Sequence, residues 1–96
     1  MNEPPEVSVV IPCHNEQDNL RPLVAAIRAA LEPLKISYEI IFTDDCSADN
    51  SWNVLKDLAA NDARIRAQRF AFNCGQSAAQ WAGMKAARGK FIITLD

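Results

Sequence analysis

Three short apolar runs, each leading into carboxylates or other polar side chains, constrain this chain more than any other feature. Val7-Ser8-Val9-Val10-Ile11 runs into Pro12-Cys13-His14-Asn15-Glu16, Ile40-Ile41-Phe42 into Thr43-Asp44-Asp45, and Phe91-Ile92-Ile93-Thr94-Leu95 into Asp96. Runs of this length, rich in β-branched residues, suit strands buried on both faces, as in parallel sheets. In an open α/β sheet, ligands sit outside the carboxyl ends of the strands. The three polar strand ends therefore describe one wall of a site.

The segments between these runs have helical spacing. Leu20, Leu23, Val24, Ile27, Leu31 and Leu34 recur at intervals of three and four and form one stripe. A proline deep in a helix costs about 3 kcal/mol, so Pro22 belongs in the first turn, with the cap at Asp18 or Asn19 rather than Asn15. Pro33 stops that helix or frays its last turn. Pro12, which cannot donate to a ladder, is expected to end the first strand.

Tyr38 to Thr43 is the second strand. After a polar turn from Asp44 to Asn50, Asp49 or Ser51 can cap a helix carrying Trp52, Leu55, Leu58 and Ala59. Arg64 to Arg69 alternates polar and apolar residues, which predicts an edge strand with one solvated face and arginines that discourage edge pairing. Asn73-Cys74-Gly75-Gln76-Ser77 opens an alanine-rich helix running through Ala87, with Gly89 as its C-cap. A fourth, buried strand runs from Phe91 to Asp96. The order β-α-β-α-β-α-β implies the α/β class. It predicts a Rossmann-like three-layer αβα arrangement, a parallel sheet of about four strands in the order 3-2-1-4. No repeat or linker divides residues 1–96.

Composition narrows the function. Ninety-six residues at 49% hydrophobic content suffice for one core. A net charge of -2 leaves no basic excess to neutralise phosphates, so nucleic acid is not an expected partner. The segment Met1 to Glu6 is acidic and proline-rich, unlike a secretory leader, and no apolar run approaches the roughly 20 residues of a membrane span. Three cysteines without a leader point to reduced thiols and a cytoplasmic setting. Cys13, Cys46 and Cys74 each follow a predicted strand, but no C-x-x-C pair supports a zinc site.

The acidic pair Asp44-Asp45 follows a buried strand and precedes a helix. Either residue can simply cap the turn. As a pair at a strand end, they can also accept hydrogen bonds from ring N–H groups or ribose hydroxyls. Neither G-x-x-x-x-G-K-[ST] nor G-x-G-x-x-G follows the first strand, so no glycine-rich turn cradles a pyrophosphate. A divalent cation held by carboxylates is the usual alternative, and Asp96 is a candidate ligand. Glu16 stands just past the first strand with His14 and Asn15, in a loop that equally serves as a helix entry. Gln76 falls in the first turn of the third helix, where side chain and backbone N–H groups face the strand ends.

Taken together, these segments resemble the family 2 glycosyltransferases of the GT-A fold. The resemblance runs from Val7 through Glu16, Tyr38 through Asp49, Asn73 through Ala79 and Gly89 through Asp96. It is nearest to the branch that moves a sugar onto a polyprenyl phosphate. It implies that Pro12, Glu16, Asp44 and Asp45 hold the base and ribose of a UDP- or GDP-linked sugar; His14, beside the base, and Gln76, in the first turn of the third helix, are expected at the same nucleotide site. It also implies that Asp96 begins an Asp-x-Asp motif holding Mg2+ or Mn2+. The implied acceptor is a lipid phosphate or a glycan.

The chain departs from the family pattern in having His14 where Tyr is usual, Cys46 and Asn50 where Gly is usual, and Ala48 where Thr is usual. A residue with a Cβ at position 46 predicts an altered or strained turn. The family's acceptor site, any catalytic base and its membrane-attaching helices are expected beyond residue 96. No catalytic residue is therefore assigned here, and the chain alone is expected to be inactive. Membrane association is expected through segments outside this chain.

Two competing readings stand beside this one. The first is a module without catalysis that either binds a nucleotide or self-associates, as a homodimer, through the open edge of the last strand. The second is a phospho-receiver domain. That fold places its acidic pair after the first strand and its phosphoacceptor after the third, where this chain has Arg69-Phe70-Ala71-Phe72.

Overall fold

The computed structural model describes residues 3–95. Strand β1 spans Val7–Cys13, helix α1 Leu20–Leu31, β2 Tyr38–Asp44, α2 Ser51–Asn61, β3 Ile65–Arg69, α3 Gln76–Ala86 and β4 Phe91–Thr94. The four strands form one parallel sheet in the order β3-β2-β1-β4, the order that the alternation of elements predicts. All seven residues of β2 are buried, and Val10, Ile40 and Phe42 are fully enclosed.

Strand alternation divides the core between two faces. Val9, Ile11, Ile40 and Phe42 pack with Leu20, Val24 and Ile27 of α1 and Leu55 and Leu58 of α2. The other face receives α3, whose only fully buried residues are Ala79 and Gly83. A Cβ on Gly83 would overlap Val10 Cγ1, so the missing side chain sets how closely α3 approaches the sheet.

The structure corrects several sequence expectations. Strand β1 continues through Pro12, which pairs with Thr43. Even-numbered β1 carbonyls face β4: Glu6 O accepts from Phe91 N–H and Val10 O from Leu95 N–H. The Pro12 nitrogen therefore lies on the β4 side, beyond the last β1–β4 pair, Val10↔Thr94, and costs the sheet no hydrogen bond. Leu34 leaves the α1 stripe and is 62% exposed, because the chain tightens to a 3₁₀ turn over Glu32–Leu34 and exits through Lys35 in the left-handed region.

Helix α3 ends at Ala86, with Ala87 rather than Gly89 at its cap position. Gly89 serves a close approach instead: a Cβ there would lie 2.7 Å from Ser8 N and Ser8 Oγ. Strand β4 lies at the sheet edge with all four residues exposed, not buried; Phe91 is 69% exposed. Asp96, expected to end this strand, lies outside the described residues.

The arginines of β3 do more than solvate an edge. Glu39, 3% exposed, accepts from Ser8 Oγ (2.6 Å), from the Arg88 backbone N–H (2.8 Å) and from Arg66 in an ion pair (2.9 Å). Burial pushes its pKa up, but the hydrogen bonds from Ser8 and Arg88 and the Arg66 charge outweigh that and hold the carboxyl below its usual range. On the opposite face Arg69 Nε reaches the fully buried Asp44 at 3.1 Å. Among the described residues, no buried side-chain polar atom lacks a partner.

Replacing Glu39 with Gln should destabilise the fold by about 2–3 kcal/mol in urea unfolding. That is less than for a fully enclosed pair, because Arg66 is partly solvated. Because the folded-state pKa of Glu39 is lowered, its contribution is complete above the ordinary carboxylate range and fades as pH falls through the folded value. Stability of the native chain should therefore fall on the acid side, and Glu39→Gln should flatten that fall.

Candidate functional site

At the carboxyl end of the sheet, three connections meet: residues 14–19 after β1, 45–50 after β2 and 70–75 after β3. The first two are joined mainly by hydrogen bonds between side chains and backbone. Asn15 N–H donates to Ser47 Oγ (2.9 Å), and Asn15 Oδ1 accepts the N–H groups of Ala48 (2.8 Å) and Asp49 (3.3 Å). Glu16 N–H donates to Ser51 Oγ (2.9 Å), and Gln17 exchanges hydrogen bonds with Asp49 and Asn50.

Asn15 holds φ at 54°, a conformation asparagine tolerates better than most residues. Cys46 holds φ at 55°, so the turn is strained where the sequence places a side chain at a position suited to glycine. Asn19 occupies the position before α1, but its amide binds Glu16 Oε2 (2.6 Å) instead of capping the helix. Asp49 Oδ1 accepts the N–H of Ser51 (2.8 Å), the first residue of α2, from one position before the cap residue Asn50.

The acidic pair divides its work. Asp44 shares a strand face with Tyr38, Ile40 and Phe42, so it points into the core beside α2. It is fully buried, accepts from Ser47 Oγ and Ser47 N–H, and pairs with Arg69. Its carboxylate does not line the cavity described below. Asp45 does. Its Oδ1 accepts the Cys74 N–H (2.6 Å) and its Oδ2 the Gly75 N–H (3.0 Å), just before α3. Chiefly the Cys74 N–H, then the Gly75 N–H, hold its pKa below the usual range against the cost of burial.

The Asp45 carbonyl accepts from His14 Nδ1 (3.0 Å) and from the Asn73 amide. Asn15 Nδ2 stands 3.3 Å from His14 Nε2, and the Asn15 carbonyl oxygen is committed to Ala48 and Asp49. This pattern assigns the imidazole proton to Nδ1.

These residues frame a cavity of about 540 Å³, within the range usual for small-molecule sites. Ile11, Leu20 and Leu23 form its apolar wall; Pro12, His14, Glu16, Asp45 and Gln76 surround it. Of the residues implied at the sequence level, five meet here, Asp44 stands behind them, and Asp96 lies outside the described residues.

Glu16 and Asp45 are the acidic residues of the cavity, and both carboxylates hold internal hydrogen bonds. Among the described residues, no group of three His, Cys, Asp or Glu side chains is arranged to hold a metal ion. Cys13, which also borders the cavity, is buried. Burial first, and the Asp44 charge next, push its thiol up to about 11, so it stays protonated.

Sequence reasoning missed the bracing role of Asn15, Ser47, Ser51 and Arg69. The alternation Ser47-x-Asp49-x-Ser51 was the available signal, since such side chains typically satisfy loop backbone. Replacing Cys46 with Gly should relieve the left-handed strain and raise stability by about 1 kcal/mol in thermal or urea unfolding. No gain would mean that the Cys46 Sγ contact to the Ala71 carbonyl compensates.

Comparison with known proteins places this geometry in context. Residues 8–96 match the model of Glycosyl transferase family 2. An undecaprenyl-phosphate 4-deoxy-4-formamido-L-arabinose transferase from Pseudomonas fluorescens is 46% identical over 91 residues, covering 94% of this chain and 27% of the relative. A protein of the same name from Aeromonas hydrophila is 41% identical, covering 94% and 28%. The chain thus spans under a third of the length of these relatives.

Among solved structures, the mannosyltransferase PcManGT from Pyrobaculum calidifontis, in complex with GDP-Man and Mn2+, superposes with a TM-score of 0.79 at 18% identity, covering 94% of this chain and 26% of that one. S. aureus TarS in complex with UDP gives 0.77 at 18% identity, covering 95% and 27%. At such identity these structures speak to the fold. Sequence family and fold agree: the chain belongs to Glycosyl transferase family 2.

Proposed function

We propose that this chain forms the nucleotide-sugar-binding part of an enzyme that transfers a hexose-type sugar to a polyprenyl phosphate or glycan acceptor. The observation that carries this reading is the shared cavity: Pro12, His14 and Glu16 from the end of β1 face Asp45 from the end of β2 and Gln76 from the start of α3. An apolar wall beside hydrogen-bond acceptors suits the flat face and polar edge of a nucleobase. Ile11, Leu20 and Leu23 offer the face, and Glu16 and Asp45 offer acceptors for base N–H or ribose hydroxyl groups. Asp44 acts at one remove, by bracing Ser47 and Arg69. Relatives named for undecaprenyl-phosphate sugar transfer, and neighbours bound to UDP or to GDP-Man with Mn2+, support the same class of donor and acceptor.

The reaction is a displacement at the anomeric carbon. An acceptor oxygen forms the new bond as the bond to the nucleoside diphosphate breaks. A phosphate acceptor is already anionic and needs no protein base. A divalent cation, when bound, would stabilise charge on the departing diphosphate. Asp96 is the residue proposed to hold it. The transfer takes place at the cytoplasmic face of a membrane.

Calorimetry tests this reading. The chain should bind UDP or GDP, and Glu16→Ala should weaken binding about ten-fold with circular dichroism unchanged. The chain alone should transfer no sugar. Absence of heat with both nucleotides, or equal binding by Glu16→Ala, would contradict the assignment of this cavity.

A further inference from the structure

Asn19 stands where a helix cap is expected, and its side chain is used elsewhere. It is the last residue before α1, yet it makes no side-chain capping hydrogen bond. The third helical position is Pro22, which has no N–H for a cap to receive, and no acidic side chain occupies the first turn. The amide instead turns back three residues, and Nδ2 donates to Glu16 Oε2 (2.6 Å). A carboxylate only accepts, so the Nδ2 side of the amide must face it. The backbone supports the same contact. Asn19 N–H donates to the Glu16 carbonyl (2.9 Å), while Glu16 N–H donates to Ser51 Oγ (2.9 Å). Glu16 is thus fixed through its N–H, its carbonyl and one carboxylate oxygen. Among the described residues, its Oε1 has no hydrogen-bond partner.

Glu16 and Asn19 both border the cavity, together with Leu20 and Leu23. Asn19 and Leu23 are one helical turn apart, and the Leu23 N–H donates to the Asn19 carbonyl (3.0 Å). The amide and the apolar wall are therefore parts of one rigid unit. Among the described residues, no lysine or arginine lines the cavity. The Glu16 carboxylate is oriented by a neutral donor, which leaves its charge, and so its strength as an acceptor, intact.

From this geometry we infer that Asn19 is a positioning residue for the nucleotide. It holds Glu16 Oε2, so that Oε1 is offered to an N–H or hydroxyl group of the ligand at a fixed place beside Leu20 and Leu23. A glutamate left free would lose rotamer freedom on binding, and ordering it beforehand strengthens binding. Folding stability gives no comparable reason for the contact, because a hydrogen bond between exposed groups largely replaces hydrogen bonds to water. The inference rests on the nucleotide reading of the cavity and adds to it a residue whose sequence position suggests only a cap.

The test is a double-mutant cycle on nucleotide affinity: calorimetry of UDP and of GDP with the parent chain, Asn19→Ala, Glu16→Ala and the double variant. Asn19→Ala should weaken binding about five-fold. The double variant should bind no more weakly than Glu16→Ala alone, because Asn19 acts through Glu16. Asn19→Asp should separate binding from folding. Aspartate caps a helix well but cannot donate to Glu16 and repels it, so affinity should fall about ten-fold while the thermal midpoint does not fall. In the ligand-free chain, the NMR signals of the Asn19 side-chain amide should move on Glu16→Ala, which reports the contact without any nucleotide. Parent-like affinity of Asn19→Ala, additive losses in the double variant, or Asn19 amide signals indifferent to Glu16→Ala would overturn the inference and leave the nucleotide reading standing. Absence of binding by the parent chain would overturn the nucleotide reading, and the inference with it.

Discussion

The architecture of the site depends on one carboxylate that is anchored by internal hydrogen bonds. Asp45 receives the two N–H groups that precede α3, and its own carbonyl receives His14 and Asn73. It therefore joins the ends of β1, β2 and β3 at a point where the sheet's ladder has stopped. A helix N-terminus normally presents unsatisfied N–H groups and positive potential, an attraction for phosphate. Here the protein supplies its own anion. The approach to α3 is thus better placed to position Gln76 at the cavity than to cradle a diphosphate, in keeping with the lack of a glycine-rich turn after β1.

Buried charge organises both ends of the sheet in the same way. Near the amino end, Glu39 ties Arg66 and Arg88 across the α3 face. Near the carboxyl end, Asp44 ties Arg69 and Ser47 across the α2 face. Each carboxylate sits in the fully buried strand β2, and each arginine reaches in from the edge strand β3 or from the segment after α3. Removing one partner would strand a charge in the core, which is more costly than losing an exposed ion pair. These ties also explain why β3 stays docked although few of its residues are buried.

How far the fold could be read from the sequence follows from the range of the interactions involved. The β-branched runs and helical stripes are local, and they led to the right elements and strand order. Features decided by distant neighbours were read less well. Pro12 is tolerated because β4 has ended beside it, Gly89 is needed for contact with Ser8, and Arg66 is half-buried because Glu39 lies 27 residues earlier. In the site, spacing placed Pro12 to Glu16 and the acidic pair at strand ends. It did not say which aspartate faces the cavity. Strand alternation did hold that answer, since residues 38, 40, 42 and 44 share a face and three of them are core.

The central claim is that a nucleotide occupies the cavity at the carboxyl end of the sheet. Amide chemical-shift mapping by NMR during titration with UDP and with GDP tests it most directly. The account predicts that the largest shifts fall on His14, Glu16, Asp45, Cys74, Gly75 and Gln76. Shifts concentrated around Ser8, Arg88, Gly89 and Lys90, at the opposite end of the strands, would contradict it.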